Sequence, residues 1–262
     1  MLNFRKSITV VGVASSLLLV SACGTVSTPP VASPSESSTA SKSAEPSTIA
    51  SATASGVPAS SIPVKGAANN GKGQYLQTTV SADDPAMKYN PDVVDATIKA
   101  QYSPEQITDA QRMVVTFTAE EGIDSILNDG NDVEAWWAAN KDKIAPEFQG
   151  KVKSQLDSGR EFVNRRSWGP ERAGDFTYDY KASSPRISER KIAVASLKSG
   201  NDVDNSIVIT MKVNYVVQAK DSSGKSFPVK VLADMMFAVR KDAASGKWLL
   251  DGQNSSYTAH AA

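Results

Sequence analysis

The chain has 262 residues, 28 Lys and Arg against 28 Asp and Glu, one cysteine and one histidine. A single cysteine excludes an intrachain disulfide and a multi-cysteine metal site. A single histidine, His260 near the chain end where frayed backbone is expected, leaves a Ser-His-Asp triad, a Cys-His pair and a multi-histidine metal site without members.

The first elements form an export signal. Arg5 and Lys6 precede an apolar run from Ile8 to Val20, and small residues follow. A cationic start, a short apolar run and small residues describe a secretory signal peptide over residues 1–22. The run is shorter than the roughly 20 apolar residues a spanning helix needs. Val20-Ser21-Ala22-Cys23 resembles the bacterial lipobox, an aliphatic and two small residues before a cysteine. The resemblance implies a diacylglyceryl group on the Cys23 thiol and cleavage that makes Cys23 the first mature residue. The expected location is the extracytoplasmic face of a cell membrane, with Cys23 as lipid attachment site. Two acyl chains hold firmly where one binds only marginally.

Residues 23–73 are dominated by Ser, Thr, Ala and Pro and contain no aromatic residue before the boundary. Such a stretch buries too little apolar surface to offset its chain entropy, so it reads as a disordered tether. About 50 flexible residues have an end-to-end distance of about 40 Å, enough to lift a domain off lipid headgroups. Residues 74–262 have the length of one domain. Residues 1–73 hold five Lys/Arg and two Asp/Glu, which leaves the domain with 23 basic and 26 acidic residues. That balance argues against a nucleic-acid partner, which needs a basic footprint.

Within the domain, helical periodicity comes first. Ser103-Pro104-Glu105-Gln106 predicts a helix start, with Ser as N-cap, Pro at the first position and Gln closing a capping box. Ile107, Ala110, Val114 and Phe117 follow at helical spacing, joined by Met113, Ile123 and Ile126. Asn131 and Glu134 predict a second box, opening a helix through Val133, Trp136, Trp137 and Ala138. A third helix near Pro146 turns Phe148, Val152 and Leu156 inward.

After about Ser167 the period becomes two. Phe176, Tyr178 and Tyr180 alternate with polar residues, and Ile192 and Val194 continue the pattern. Ile207, Ile209, Met211, Val213, Tyr215 and Val217 line one face of a long strand. Asp221-Ser222-Ser223-Gly224 turns into a strand faced by Val229, Val231, Ala233, Met235, Phe237 and Val239. Ala244-Ser245-Gly246-Lys247 then turns into Trp248-Leu249-Leu250. Short Gly-containing turns between long strands predict an antiparallel meander.

Helices followed by strands predict an α+β fold, its N-terminal helices packed on a curved antiparallel sheet. The element order, with Phe237-Ala238-Val239-Arg240, a Gly turn and Trp248-Leu249-Leu250-Asp251-Gly252, is similar to the NTF2-like superfamily. Ala135-Trp136-Trp137 resembles segments of actinobacterial exported proteins of this kind. The resemblance implies a cone-shaped domain with a pocket between sheet and helices.

The chemistry that remains is that of carboxylates and phenols: Tyr178, Tyr180 and Tyr215, with Asp179, Asp234 and Asp251. Alternation places Asp179 and Asp234 on the solvent face, and nothing matches ketosteroid isomerase, an NTF2-like relative, residue by residue. No catalytic residue, cofactor or metal ligand is assigned. Trp136 and Trp137 differ by about 100° around a helix, so both cannot point squarely into one core. They read first as packing residues; with Tyr178 and Tyr215 they are the candidate pocket or partner contacts. Arg160, Arg165, Arg166 and Arg172 read as a solvated face neutralised by neighbouring acids. The leading functional reading is a non-catalytic binding or scaffolding module for an envelope protein or cell-wall partner. The alternatives are a small-pocket enzyme of the isomerase or dehydratase kind, and a carrier of a hydrophobic ligand.

Overall fold

The computed structural model describes residues 62–69, 73–127, 133–157, 176–179, 184–200 and 205–261. The leader 1–22, Cys23, Tyr180 and the arginines 160, 165, 166 and 172 lie outside the described residues. All described residues belong to one unit, 54–262. A hairpin opens it, from β1 (Val64–Asn69) and β2 (Gln74–Thr78). Strand β1 thus falls inside the stretch whose composition reads as tether. Among the described residues four α-helices follow: α1 (Ala96–Gln101), α2 (Pro104–Phe117), α3 (Val133–Asn140) and α4 (Pro146–Asp157). A π-helical turn, Thr118–Ile123, continues directly from α2. No helix among the described residues is long and apolar enough to cross a membrane.

Helix α2 starts where its sequence directs. Ser103 Oγ accepts from the Gln106 N–H, and Gln106 Oε1 accepts from the Ser103 N–H, closing the capping box. Its stripe of Ile107, Ala110, Val114 and Phe117 is buried, as are Phe148, Val152 and Leu156 of α4. These faces pack on the second sheet, formed by β3 (Phe176–Tyr178), β4 (Ile187–Ser199), β5 (Ser206–Asp221), β6 (Ser226–Lys241) and β7 (Trp248–Ala261).

All pairings in this sheet are antiparallel, and β5 is flanked by β6 on one side and by both β4 and β3 on the other. Alternation along β5 and β6 buries Ile207 to Val217 and Val229 to Val239 on the helix side, and leaves Lys212, Asn214 and Asp234 outside. Two Asx turns shape the hairpins. Asp221 Oδ1 accepts from the Ser223 and Lys225 N–H groups, and Asp242 Oδ2 from that of Ser245. Gly224 and Gly246 take the left-handed backbone, φ +81° and +69°, that these turns require.

The α+β layering agrees with the sequence pattern, but the NTF2-like cone does not survive. The five-stranded sheet is open rather than closed or curved into a cone, and the β1–β2 hairpin forms a separate sheet. Curling a sheet around its helices takes bulges in the central strands. Here the β5–β6 register runs from Ser206↔Arg240 to Lys220↔Ser226 without a shift. The interruptions fall in the outer pairings: two between β4 and β5, one between β6 and β7. A second correction concerns the chain end. The His260 backbone is paired with Lys230 as part of β7, rather than frayed.

Candidate functional site

Glu120, Glu121, Asp124 and Arg186, four of the five buried charged residues among those described, converge where the π-helical turn, the hairpin and the start of β4 meet. The turn carries Glu120 and Glu121, and Asp124 and Ser125 follow it; all four are buried. Its wider backbone directs the two adjacent glutamates to different neighbours. Glu120 faces the hairpin, taking Lys65 Nζ at 2.5 Å and Thr79 Oγ1 at 2.6 Å. Glu121 accepts from Trp136 Nε1 at 2.6 Å and Ser125 Oγ at 3.3 Å. Gly122 lets the turn lie close on β6, because a Cβ there would stand 2.8 Å from the flexible Met235 Cε.

The centre is an ion pair sealed from water. Arg186 Nε donates to Asp124 Oδ1 at 2.6 Å, and both side chains have zero exposure. Arg186 Nη2 donates to the Ser125 carbonyl at 2.8 Å, and the guanidinium lies 3.8 Å from the Tyr75 ring centroid. The hairpin completes the coordination. Thr78 donates its N–H and its hydroxyl to Asp124 Oδ2, at 2.7 and 2.9 Å. Tyr75 Oη and Gln77 Nε2 donate to the Asp124 carbonyl. Arg190, next along β4, donates to the Thr79 carbonyl and to Thr78 Oγ1. Burial holds the Asp124 carboxyl above its ordinary range, against the opposing pull of Arg186 and Thr78, which bond the charged form.

This arrangement fastens the hairpin to the domain. A charge pair without water depends on further hydrogen bonds; Thr78 donates twice to Asp124 Oδ2, and the Ser125 carbonyl accepts from Arg186 Nη2. Among the described residues, no group of three or more His, Cys, Asp or Glu is placed to hold a metal ion.

Glu121 is the group of the cluster most open to chemical test. Burial pushes its carboxyl up, against the opposing pull of Lys143, the Trp136 bond and Lys65; Glu120 adds to the rise. The folded state therefore holds a proton that the unfolded chain releases earlier. Stability from this group is present at low pH and lost as pH rises past the ordinary glutamate value through the raised one. Glu121→Gln keeps an acceptor for Trp136 and removes the titration. Its melting temperature is expected to exceed that of the parent by more at about pH 8 than at about pH 5. Parallel curves for the two proteins would contradict this.

The candidates named from sequence fall in separate places. Trp136 is fully buried and belongs to the cluster through Glu121, with its ring edge-on to Phe117 at 6.4 Å. Trp137 is partly buried against the core. Tyr215 lies on the inner face of β5, 2% exposed, in register with Arg190 and Val231. Tyr178 pairs through its backbone with Ala219. Asp234 is exposed and paired with Lys212 at 2.7 Å, as alternation placed it. Asp251 lies 3.8 Å from Arg240 Nε.

Asp179 is a correction. It is buried, pairs with Lys220 at 2.8 Å and accepts from Ser226 Oγ at 2.8 Å. It sits one residue beyond the end of β3, where strand alternation no longer applies. Sequence reading missed Asp124, Arg186 and Glu121. A signal existed for Glu121: it continues the apolar stripe of Val114 and Phe117 at i+7 and i+4, which puts a carboxylate on the buried face. No family model matches this chain, and no curated protein or solved structure is significantly similar to it.

Proposed function

We propose that the chain is an extracytoplasmic lipoprotein, anchored through a diacylglyceryl group on Cys23, whose domain serves as a non-catalytic binding or scaffolding module in the cell envelope. The anchor rests on Val20-Ser21-Ala22-Cys23 at the end of an apolar run, where the sole thiol of the chain has a chemical use. The observation that favours a module over a pocket enzyme is how the inward carboxylates are engaged. Asp124 is bound to Arg186 and Thr78, and Glu121 to Trp136, so both hold elements of the fold together. Beneath the helices the sheet is filled by Met211, Met235 and Phe237, each 1% exposed or less.

On this reading the hairpin has a mechanical role. Its first strand falls within the stretch read as tether, and the Asp124–Arg186 pair ties it to the body of the domain. Cys23→Ser is expected to abolish incorporation of labelled acyl chains and to release the protein from the membrane fraction. Unchanged labelling would refute the anchor. For the domain, crosslinking in cells is expected to recover an envelope partner; no partner, together with turnover of a small molecule by the purified protein, would favour an enzyme.

A further inference from the structure

Two clefts of about 370 and 300 Å³ open side by side along α2 and share Met113 as a common wall. Gln106, Asp109, Met113, Thr116 and Glu120 recur along the helix at three- and four-residue steps, so the two clefts follow one stripe. From Asp109 to Glu120 that stripe is about 16 Å long at the helical rise, the length of about five extended residues.

The groove is lined by four cations, of which Lys143 also acts on the buried Glu121 carboxyl. Lys241 and Lys247 stand at one end, Arg112 and Lys143 at the other. Among the described residues, none of these four is in an ion pair. Two are positioned by neutral acceptors: Arg112 Nε donates to the Met87 carbonyl at 3.0 Å, and Lys143 Nζ to Asn140 Oδ1 at 2.8 Å. Glu120 is engaged by Lys65. Between the cations the clefts are lined by the apolar Met113, Trp248 and Phe117 together with Gln106, Asp109, Thr116 and Glu120. Trp248 packs edge-on against Tyr102 at 5.3 Å, Met113 is partly buried, and Phe117 lies below Lys143.

We propose that this groove docks an extended, acidic peptide segment of the partner, one that alternates carboxylate and apolar side chains. The inference rests on the binding-module reading and specifies its partner. Complementary charge selects an anion. The apolar wall of Met113 and Trp248 and the exposed Asp109 carboxylate select a peptide over a densely charged polymer. A peptide supplies apolar side chains to the wall and N–H donors to Asp109; a polyphosphate supplies neither.

The test uses the full chain and a fluorescein-labelled hexapeptide of alternating aspartate and leucine, followed by anisotropy. Saturable binding is expected, with no binding of a lysine-leucine hexapeptide and no displacement by inorganic polyphosphate. The double variant Lys143→Glu/Lys247→Glu, one half-buried and one exposed position at the two ends of the groove, is expected to weaken binding at least about tenfold. Arg112→Glu/Lys241→Glu provides a second variant should the first melt early. No saturable binding, equal binding by folded variants, or displacement by polyphosphate overturns the proposal. A photo-crosslinking side chain in place of Thr116, against one in place of Leu232 on the outer sheet face, separates the two readings in cells. Capture from position 116 supports the groove. Capture only from position 232 refutes the groove and leaves the module; capture from neither refutes both.

Discussion

Arg186→Met is expected to destabilise the domain by about 3–5 kcal/mol, because it leaves the Asp124 carboxylate in the interior without its cation. The geometry gives that figure its basis. Both side chains have zero exposure, so water cannot replace the lost partner. The guanidinium also covers the Tyr75 ring and bonds the Ser125 carbonyl, so the loss spreads to the hairpin. Adding Asp124→Asn removes the stranded charge and keeps an acceptor for the two Thr78 donors. The double variant is therefore expected to recover most of the loss, in the manner of buried pairs replaced together. Urea unfolding of the three proteins reads this directly. A single variant costing under about 1 kcal/mol, or no recovery in the double, would show that the pair does not hold the hairpin.

Trp136→Ala is expected to cost a similar amount, about 3–5 kcal/mol, since Trp136 is among the largest fully buried side chains. Its effect has two parts that variants separate. Trp136→Phe keeps most of the packing volume and removes the indole N–H that bonds Glu121. It is expected to cost about 1–3 kcal/mol, the range for an acceptor stranded in the interior. Trp137→Ala, one residue along and only partly buried, is expected to cost clearly less than Trp136→Ala. Equal losses for the two tryptophans would contradict their assigned positions.

The contrast between these two residues shows where sequence reading carries and where it stops. Adjacent tryptophans on a helix must diverge, and they do, but only the fold decides which one faces the core. The long strands were legible because β5 and β6 keep a period of two along their whole length. The Ser103 and Gln106 box was legible because capping is a local interaction. The β1–β2 hairpin was not. Its Gly, Ala, Asn and Gln residues carry no alternation, and it is held by Tyr75 and Thr78 on partners more than 40 residues away.

The same limit explains the lost cone. Element order reports which strands exist, whereas closure depends on bulges in particular pairings, and the continuous β5–β6 register keeps this sheet open. The second half of β7, Gln253 to Ala261, escaped notice because its small polar side chains lack the alternation seen in the central strands. At the polar cluster, Asp124 and Arg186 lie 62 residues apart, and nothing near either one announces the other. Glu121 alone was discoverable, as a charge on an apolar stripe.

The most direct measurement is the intact mass of the polypeptide recovered from the membrane fraction. The anchor requires a chain that starts at Cys23 and carries the added mass of a diacylglyceryl group. A chain that retains residues 1–22 with an unmodified thiol would contradict it.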